Sequence, residues 1–261
     1  MPFADVNGQR LHYEDTGGDG PAVVLSHGFL MDSSMFAAQV GALAPRHRVI
    51  TWDQRAFGQT EWDGRAFTYW HSADDAVKLL DTLGIQKAVF GGMSQGGFLS
   101  LRVALRDPAR VRGLVLFASQ AGVDPPEVIA GYRQMMETWL TMGPIDPLVE
   151  AVAQIILGPR EHWEPWVTRW RAMPKENLQH PTACLLDRDD ITSRLAEIHT
   201  PALVFHGTAD NAIPMSRAEA LAAGLRAGPV VQLAGGAHAA NLTHADQVNP
   251  ALLAFLESLP A

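Results

Sequence analysis

The chain carries a single cysteine, Cys184, so it can form no internal disulfide and build no thiolate metal cluster. No apolar run comes near the ~20 residues needed to span a bilayer. The first twenty residues are polar and glycine-rich, without the apolar segment of a secretory signal. These absences predict a cytoplasmic protein with no membrane partner. Positive charge is also short: Lys and Arg total 20 against 28 Asp and Glu, a formal net charge of −8. Such a balance argues against a nucleic-acid partner or an anionic membrane surface, and leaves a small-molecule substrate open. There is no internal repeat and no low-complexity segment. The densest acidic run, Asp187, Asp189 and Asp190 around Arg188, has no histidine at ligand spacing and reads as a solvated loop. No metal and no cofactor is expected.

What is present is an ordinary globular composition, 47% hydrophobic and 18% charged over 261 residues, enough for one sizeable α/β core. Short apolar runs at residues 23–25, 47–52, 87–91, 111–117, 202–206 and 230–233 read as strands. Helical spacing fills residues 35–43, 74–83, 98–105, 218–225 and 247–259, the first after a capping Asp32-Ser33-Ser34. Strands alternating with helices predict a mostly parallel sheet covered on both faces, with ligands at the carboxyl ends of the strands.

At one of those strand ends stands Gly92-Met93-Ser94-Gln95-Gly96. A serine at a strand-to-helix turn is held in a strained conformation with its hydroxyl aimed out of the sheet, and a Cβ at Gly92 or Gly96 would crowd the bend. A hydroxyl is a poor nucleophile unless an oriented base takes its proton, so Ser94 calls for a later acid and a later histidine. Asp210 follows the strand at 202–206, and His238 follows the strand at 230–233 on Gly235-Gly236-Ala237.

The order Ser94, Asp210, His238 resembles that of the α/β-hydrolases, and nearly the whole chain fits that fold. His27-Gly28-Phe29 resembles the family's H-G segment, which implies that the Phe29 N–H and the Gln95 N–H form an oxyanion hole. Residues 53–60, Asp-Gln-Arg-Ala-Phe-Gly-Gln-Thr, resemble the family's D-x-R-G-x-G-x-S loop, with Ala56 replacing the first glycine and Thr60 the serine. The tail from His238 through Asn249 is similar to that of 3-oxoadipate enol-lactonases and small-ester hydrolases. Thr243-His244-Ala245-Asp246 also resembles cofactor-free perhydrolases and haloperoxidases. Asp124, shortly after the sixth strand, is the alternative acid position that some relatives use.

Residues 122–199 depart from the alternating pattern: strands vanish and Met- and Trp-rich helical segments take over, with Pro125-Pro126 and Thr200-Pro201 at the ends. This predicts a hydrolase core at 1–121 and 200–261, interrupted after the sixth strand by a helical cap. Trp163, Trp166 and Trp170 fall at i, i+3 and i+7, the spacing of one helix face. Part of this apolar material, with Met135, Trp139 and Trp163 as candidates, is expected to wall a substrate pocket. An acidic substrate would need a cation there, and Arg133, Arg169, Arg171 and Arg188 are available. His27 and His206 are read as buried neighbours, His244 as a helix-entry residue, and Cys184 as a buried thiol. The predicted activity is hydrolysis of a carboxylic ester or lactone through an acyl-enzyme on Ser94. A peroxide-using variant, a C–C bond hydrolase and a receptor-like protein with an idle triad are the alternatives.

Overall fold

Eight strands form one sheet in the computed structural model, which describes residues 2–260. Met1 and Ala261, the outer ends of the two expected core segments, lie outside the described residues. The strands are β1 (Phe3–Val6), β2 (Gln9–Asp15), β3 (Ala22–Ser26), β4 (Arg48–Trp52), β5 (Ala88–Met93), β6 (Val111–Phe117), β7 (Ala202–Gly207) and β8 (Val231–Leu233). The helices are α1 (Ala37–Leu43), α2 (Tyr69–Thr82), α3 (Gln95–Arg106), α4 (Pro126–Met142), α5 (Asp146–Ile156), α6 (Trp166–Ala172), α7 (Gln179–Leu186), α8 (Met215–Gly224), α9 (Ala240–Thr243) and α10 (Ala245–Ser258). The order across the sheet is β1-β2-β4-β3-β5-β6-β7-β8. From β4 to β8 every pairing is parallel, while β1 and β2 are antiparallel additions at one edge.

The alternation of side chains along each strand divides the interior into two cores. Val24, Ile50, Phe90, Leu114, Leu116 and Val204 pack with α2, α3 and α8 on one face. Val23, Leu25, Val49, Val89, Val115, Phe117 and Phe205 pack on the other, with α1 and α10. Burying each such side chain contributes about 1.5–3 kcal/mol, so the register of the sheet is strongly fixed by both faces. The helices α4, α5 and α6 join this second core through Trp139, Val149, Val152, Trp166 and Trp170.

The six expected strands are all present, and the segment between β6 and β7 is helical throughout its regular elements. The β1–β2 hairpin was not anticipated. Its turn, Asn7-Gly8, has φ of 49° and 80°, the doubly positive turn that matches the twist of paired strands. Helix α2 begins at Tyr69 rather than residue 74, because Thr68 and His71 cap it reciprocally, the Thr68 N–H donating to His71 Nδ1 at 3.0 Å. The shared face expected for Trp163, Trp166 and Trp170 is corrected: α6 starts at Trp166, and Pro165 separates it from Trp163. Proline restricts the residue before it to extended conformations, so the periodicity does not carry across.

Candidate active site

The turn after β5 holds Ser94 at φ 51°, ψ −112°, a conformation costly for any residue with a side chain. Hydrogen bonds on both sides of the peptide enforce it. The Ser94 N–H donates to Phe117 O at 2.9 Å, the Ser94 carbonyl accepts from Gly97 N–H at 2.9 Å, and it accepts from Ser119 Oγ at 3.1 Å. The two flanking glycines are dictated by close approach. A Cβ at Gly92 would lie 2.1 Å from the Gly96 carbonyl carbon, and one at Gly96 would lie 1.9 Å from Ser26 O. Gln95 is the first residue of α3, so its N–H has no acceptor within the helix and remains beside Ser94.

The loops after β7 and β8 are tied together by Thr208 N–H to Leu233 O at 3.0 Å and Ala209 N–H to Gly236 O at 2.9 Å. This lacing sets Asp210 against His238, whose Nδ1–H donates to Asp210 Oδ2 at 2.8 Å. The other oxygen, Oδ1, accepts the N–H groups of Ala212 at 2.8 Å and Ile213 at 3.0 Å. Asp210 has no exposed side-chain surface. Burial pushes its carboxyl up, but the His238 charge and hydrogen bond, the Ile213 N–H and His206 outweigh it and hold the group below the usual carboxylate range. It is therefore ionised at neutral pH and fixes the His238 tautomer, leaving Nε2 as the free ring nitrogen. His206 Nε2–H donates to Ile213 O at 2.8 Å while lying 3.5 Å from Asp210 Oδ2.

One cavity is lined by both Ser94 and His238, together with Phe29, Leu30, Met93, Met135 and Ile156 among mostly apolar neighbours. No carbonyl of the described residues accepts the Phe29 N–H. The loop beside it is braced from two sides. Leu30 sits at φ 63°, and its carbonyl accepts the Trp170 indole N–H at 2.6 Å. His27 has no free nitrogen for Ser94: Nδ1–H donates to Gly28 O at 2.8 Å and Nε2 accepts the Gln54 N–H at 2.9 Å. Full burial, only partly opposed by nearby acids, pulls its pKa down and keeps it neutral.

Asp124 lines the same cavity but is held elsewhere, Oδ2 by Arg188 Nη2 at 2.9 Å and Oδ1 by Gln120 Nε2 at 2.8 Å. His244 caps α10 and bonds Thr243 Oγ1 at 2.8 Å. Cys184 is buried, which pushes its thiol up to about 12 and leaves it unreactive at neutral pH. Among the described residues no cluster of three His, Cys, Asp or Glu is arranged to hold a metal, and no helix is long and apolar enough to cross a membrane.

Of the three expected pocket residues, only Met135 lines the cavity. Trp139 is wholly buried in the core beneath the helices, and Trp163 is turned to donate its indole N–H to Gly158 O at 2.8 Å. Large aromatic surfaces are worth most when fully covered, and Trp139 is covered within the second core while Trp163 packs partly buried against it. The cavity takes smaller or longer side chains instead, among them Tyr132 and Met136, one and no turns from Met135 on α4. Their spacing of i, i+3 and i+4 was a legible signal of one helix face, overlooked beside the tryptophans.

Residues 21–245 match the model of the alpha/beta hydrolase fold family. The chain is 32% identical to a Caulobacter vibrioides protein named “Putative carbamate hydrolase RutD”, over 98% of each. It is 31% identical to a Synechocystis protein named “Putative non-heme chloroperoxidase”, over 98% of this chain and 100% of that one. Among solved structures, the enol-lactonase from Burkholderia xenovorans LB400 superposes with a TM-score of 0.87 at 28% identity, covering 98% of this chain and 100% of that one. With the strained serine turn, the laced acid and histidine loops and the sheet order all in place, the chain belongs to the alpha/beta hydrolase family.

Proposed function

We propose that this hydrolase cleaves a carboxylic ester or lactone through an acyl-enzyme on Ser94, with His238 as base and Asp210 as its orienting acid. The observation that carries the proposal is the strained Ser94 facing the same cavity as His238, whose Nδ1 is occupied by a buried, ionised Asp210. His238 Nε2 takes the Ser94 proton as Oγ attacks the acyl carbon, and the imidazolium then gives that proton to the leaving oxygen. The oxyanion formed in between is held by the N–H groups of Phe29 and Gln95, donors worth about 100- to 1000-fold in rate each. Water, deprotonated by His238, releases the acid. In a lactone the leaving oxygen stays attached, so one ring-opened product results. Residues 122–199 act as a cap that supplies much of the apolar wall and the Trp170 brace on Leu30.

The test is turnover of p-nitrophenyl acetate and butyrate by the wild type and Ser94→Ala, with intact mass after a fluorophosphonate. Loss of at least about a thousandfold in kcat and a single adduct on Ser94 are expected. Retained turnover in Ser94→Ala overturns the mechanism. The chloroperoxidase name carried by one near-full-length relative favours a second reading, in which peroxide replaces water as acyl acceptor and a peracid forms. Peroxide-dependent halogenation in acetate distinguishes the two. The name of the carbamate hydrolase relative makes a carbamate the further acyl compound to assay.

A further inference from the structure

The charged groups along the cavity wall, His238 aside, are Asp124 and Arg188. Arg133, Arg169 and Arg171 are spent on Asp187, Asp32 and Asp146 at distances of 2.7–2.8 Å, away from the wall. Arg188 is locked in place. Its Nη2 donates to Asp124 Oδ2 at 2.9 Å and Gly122 O at 3.2 Å, its Nε to Gly122 O at 3.3 Å, and its Nη1 to Leu185 O at 2.7 Å. A guanidinium has five N–H donors, so one is left. The Arg188 side chain is 3% exposed against 13% for Asp124, so the carboxylate is the more accessible member of the pair. Arg188 cannot turn to a ligand carboxylate without abandoning two carbonyls and its ion pair.

Resting on the serine-hydrolase reading of this site, we propose that the Asp124–Arg188 pair makes the enzyme selective for neutral acyl groups and against acyl groups carrying a carboxylate. The pair is charge-compensated, and ionised Asp210 lies behind His238, so an anionic substrate finds no unpaired cation. Tyr132 feels the same field: burial, then Asp124 and Asp210, raise its pKa and keep the phenol neutral. Placing a lone carboxylate in such a wall carries the desolvation penalty of a buried ion without a partner to offset it. This separates the chain from what its tail suggests, since an oxoadipate-type lactone is acidic.

The experiment compares p-nitrophenyl hexanoate with the p-nitrophenyl monoester of adipic acid, equal in acyl carbons but ending in a carboxylate. The wild type should favour hexanoate by about 100-fold or more in kcat/KM. In Asp124→Asn the Arg188 charge is uncompensated, and the ratio should move toward the adipate ester by about tenfold or more. If that variant does not fold, Asp124→Ala, which removes the carboxylate and leaves the Arg188 charge uncompensated, should move the ratio the same way, and an unmoved ratio there overturns the proposal. Equal use of both esters by the wild type, or an unmoved ratio in folded Asp124→Asn, overturns the proposal. Where turnover is slow, protection of Ser94 from a fluorophosphonate reads the same preference. Hexanamide should protect and adipic acid monoamide should not; protection by the monoamide, or by neither, overturns it. Ester cleavage that survives Ser94→Ala would instead overturn the underlying catalytic reading, an outcome distinct from a wrong ratio.

Discussion

Two histidine–aspartate pairs in different parts of this molecule make the same bond. His238 Nδ1 lies 2.8 Å from Asp210 Oδ2, and His12 Nδ1 lies 2.8 Å from Asp53 Oδ2. The likeness extends further, because each aspartate also accepts two backbone N–H groups: Ala212 and Ile213 for Asp210, Ser33 and Gln59 for Asp53. The surroundings of the second ring nitrogen separate them. His238 borders the cavity that Ser94 also lines, whereas His12 is about 1% exposed, with Nε2 3.3 Å from the Gln59 amide nitrogen and its ring edge-on to Phe3. An acid–histidine pair is thus a general way to brace loops. On the proposed mechanism, what turns such a pair to chemistry is that its histidine shares a cavity with Ser94.

The sharpest way to break this contrast is to neutralise each acid in turn. Asp210→Asn should lower kcat by about ten-thousandfold, because an amide in place of the carboxylate no longer imposes the tautomer that leaves Nε2 free to accept. Its thermal unfolding, measured in parallel, should show a folded protein. Asp53→Asn should leave kcat within about threefold of wild type but cost about 2–4 kcal/mol of stability in urea titration, since a buried acceptor of three donors is disturbed. Equal activity losses in the two variants would erase the distinction.

Acid titration gives an intermediate effect. Burial raises Asp53, but the His27 imidazole and the Gln59 and Ser33 N–H groups outweigh it, so its carboxyl, like that of Asp210, sits below the usual value. A depressed folded pKa gives stability that is complete above the unfolded value near 3.9 and is lost as pH falls through the folded one. The Tm should therefore begin to fall below about pH 6.5, where the buried neutral His27 and His206 refuse the proton the unfolded chain takes up, and fall further below about pH 4, the acid part less steeply in Asp53→Asn. A Tm that stays level to about pH 2 would contradict the assignment.

The smallest expected effect concerns Ala56, in the loop that Asp53 organises. It sits at φ 72°, where a side chain costs about 1–2 kcal/mol, partly offset against glycine by chain entropy and by the buried methyl. Ala56→Gly should raise stability by about 0.5 kcal/mol and leave kcat unchanged. A change in kcat would place this loop in the chemistry rather than in support of it.

Much of the architecture was legible because its signals are local. The strand at Val111–Phe117 coincides with its apolar run, and Ser94 stands between glycines whose missing Cβ atoms are required at distances near 2 Å. Two features were legible and overlooked: the Asn7-Gly8 hairpin, and the α4 face on which Tyr132 and Met136 join the expected Met135. The tryptophans misled because amphipathic spacing records that a side chain is covered without recording by what. Trp139 and Trp170 are covered by the sheet-side core, and Trp170 found a polar partner in Leu30 O.

The sequence by itself determined the alternating α/β order, the serine turn and the succession of Ser94, Asp210 and His238, since each follows from steric need or periodicity over a few residues. Only the tertiary structure decided which aspartate meets which histidine, which arginine reaches the cavity and that Asp124 neutralises it. Those pairings join residues tens of positions apart, and their energies depend on burial and hydrogen-bond geometry that exist only once the sheet has brought its loops together.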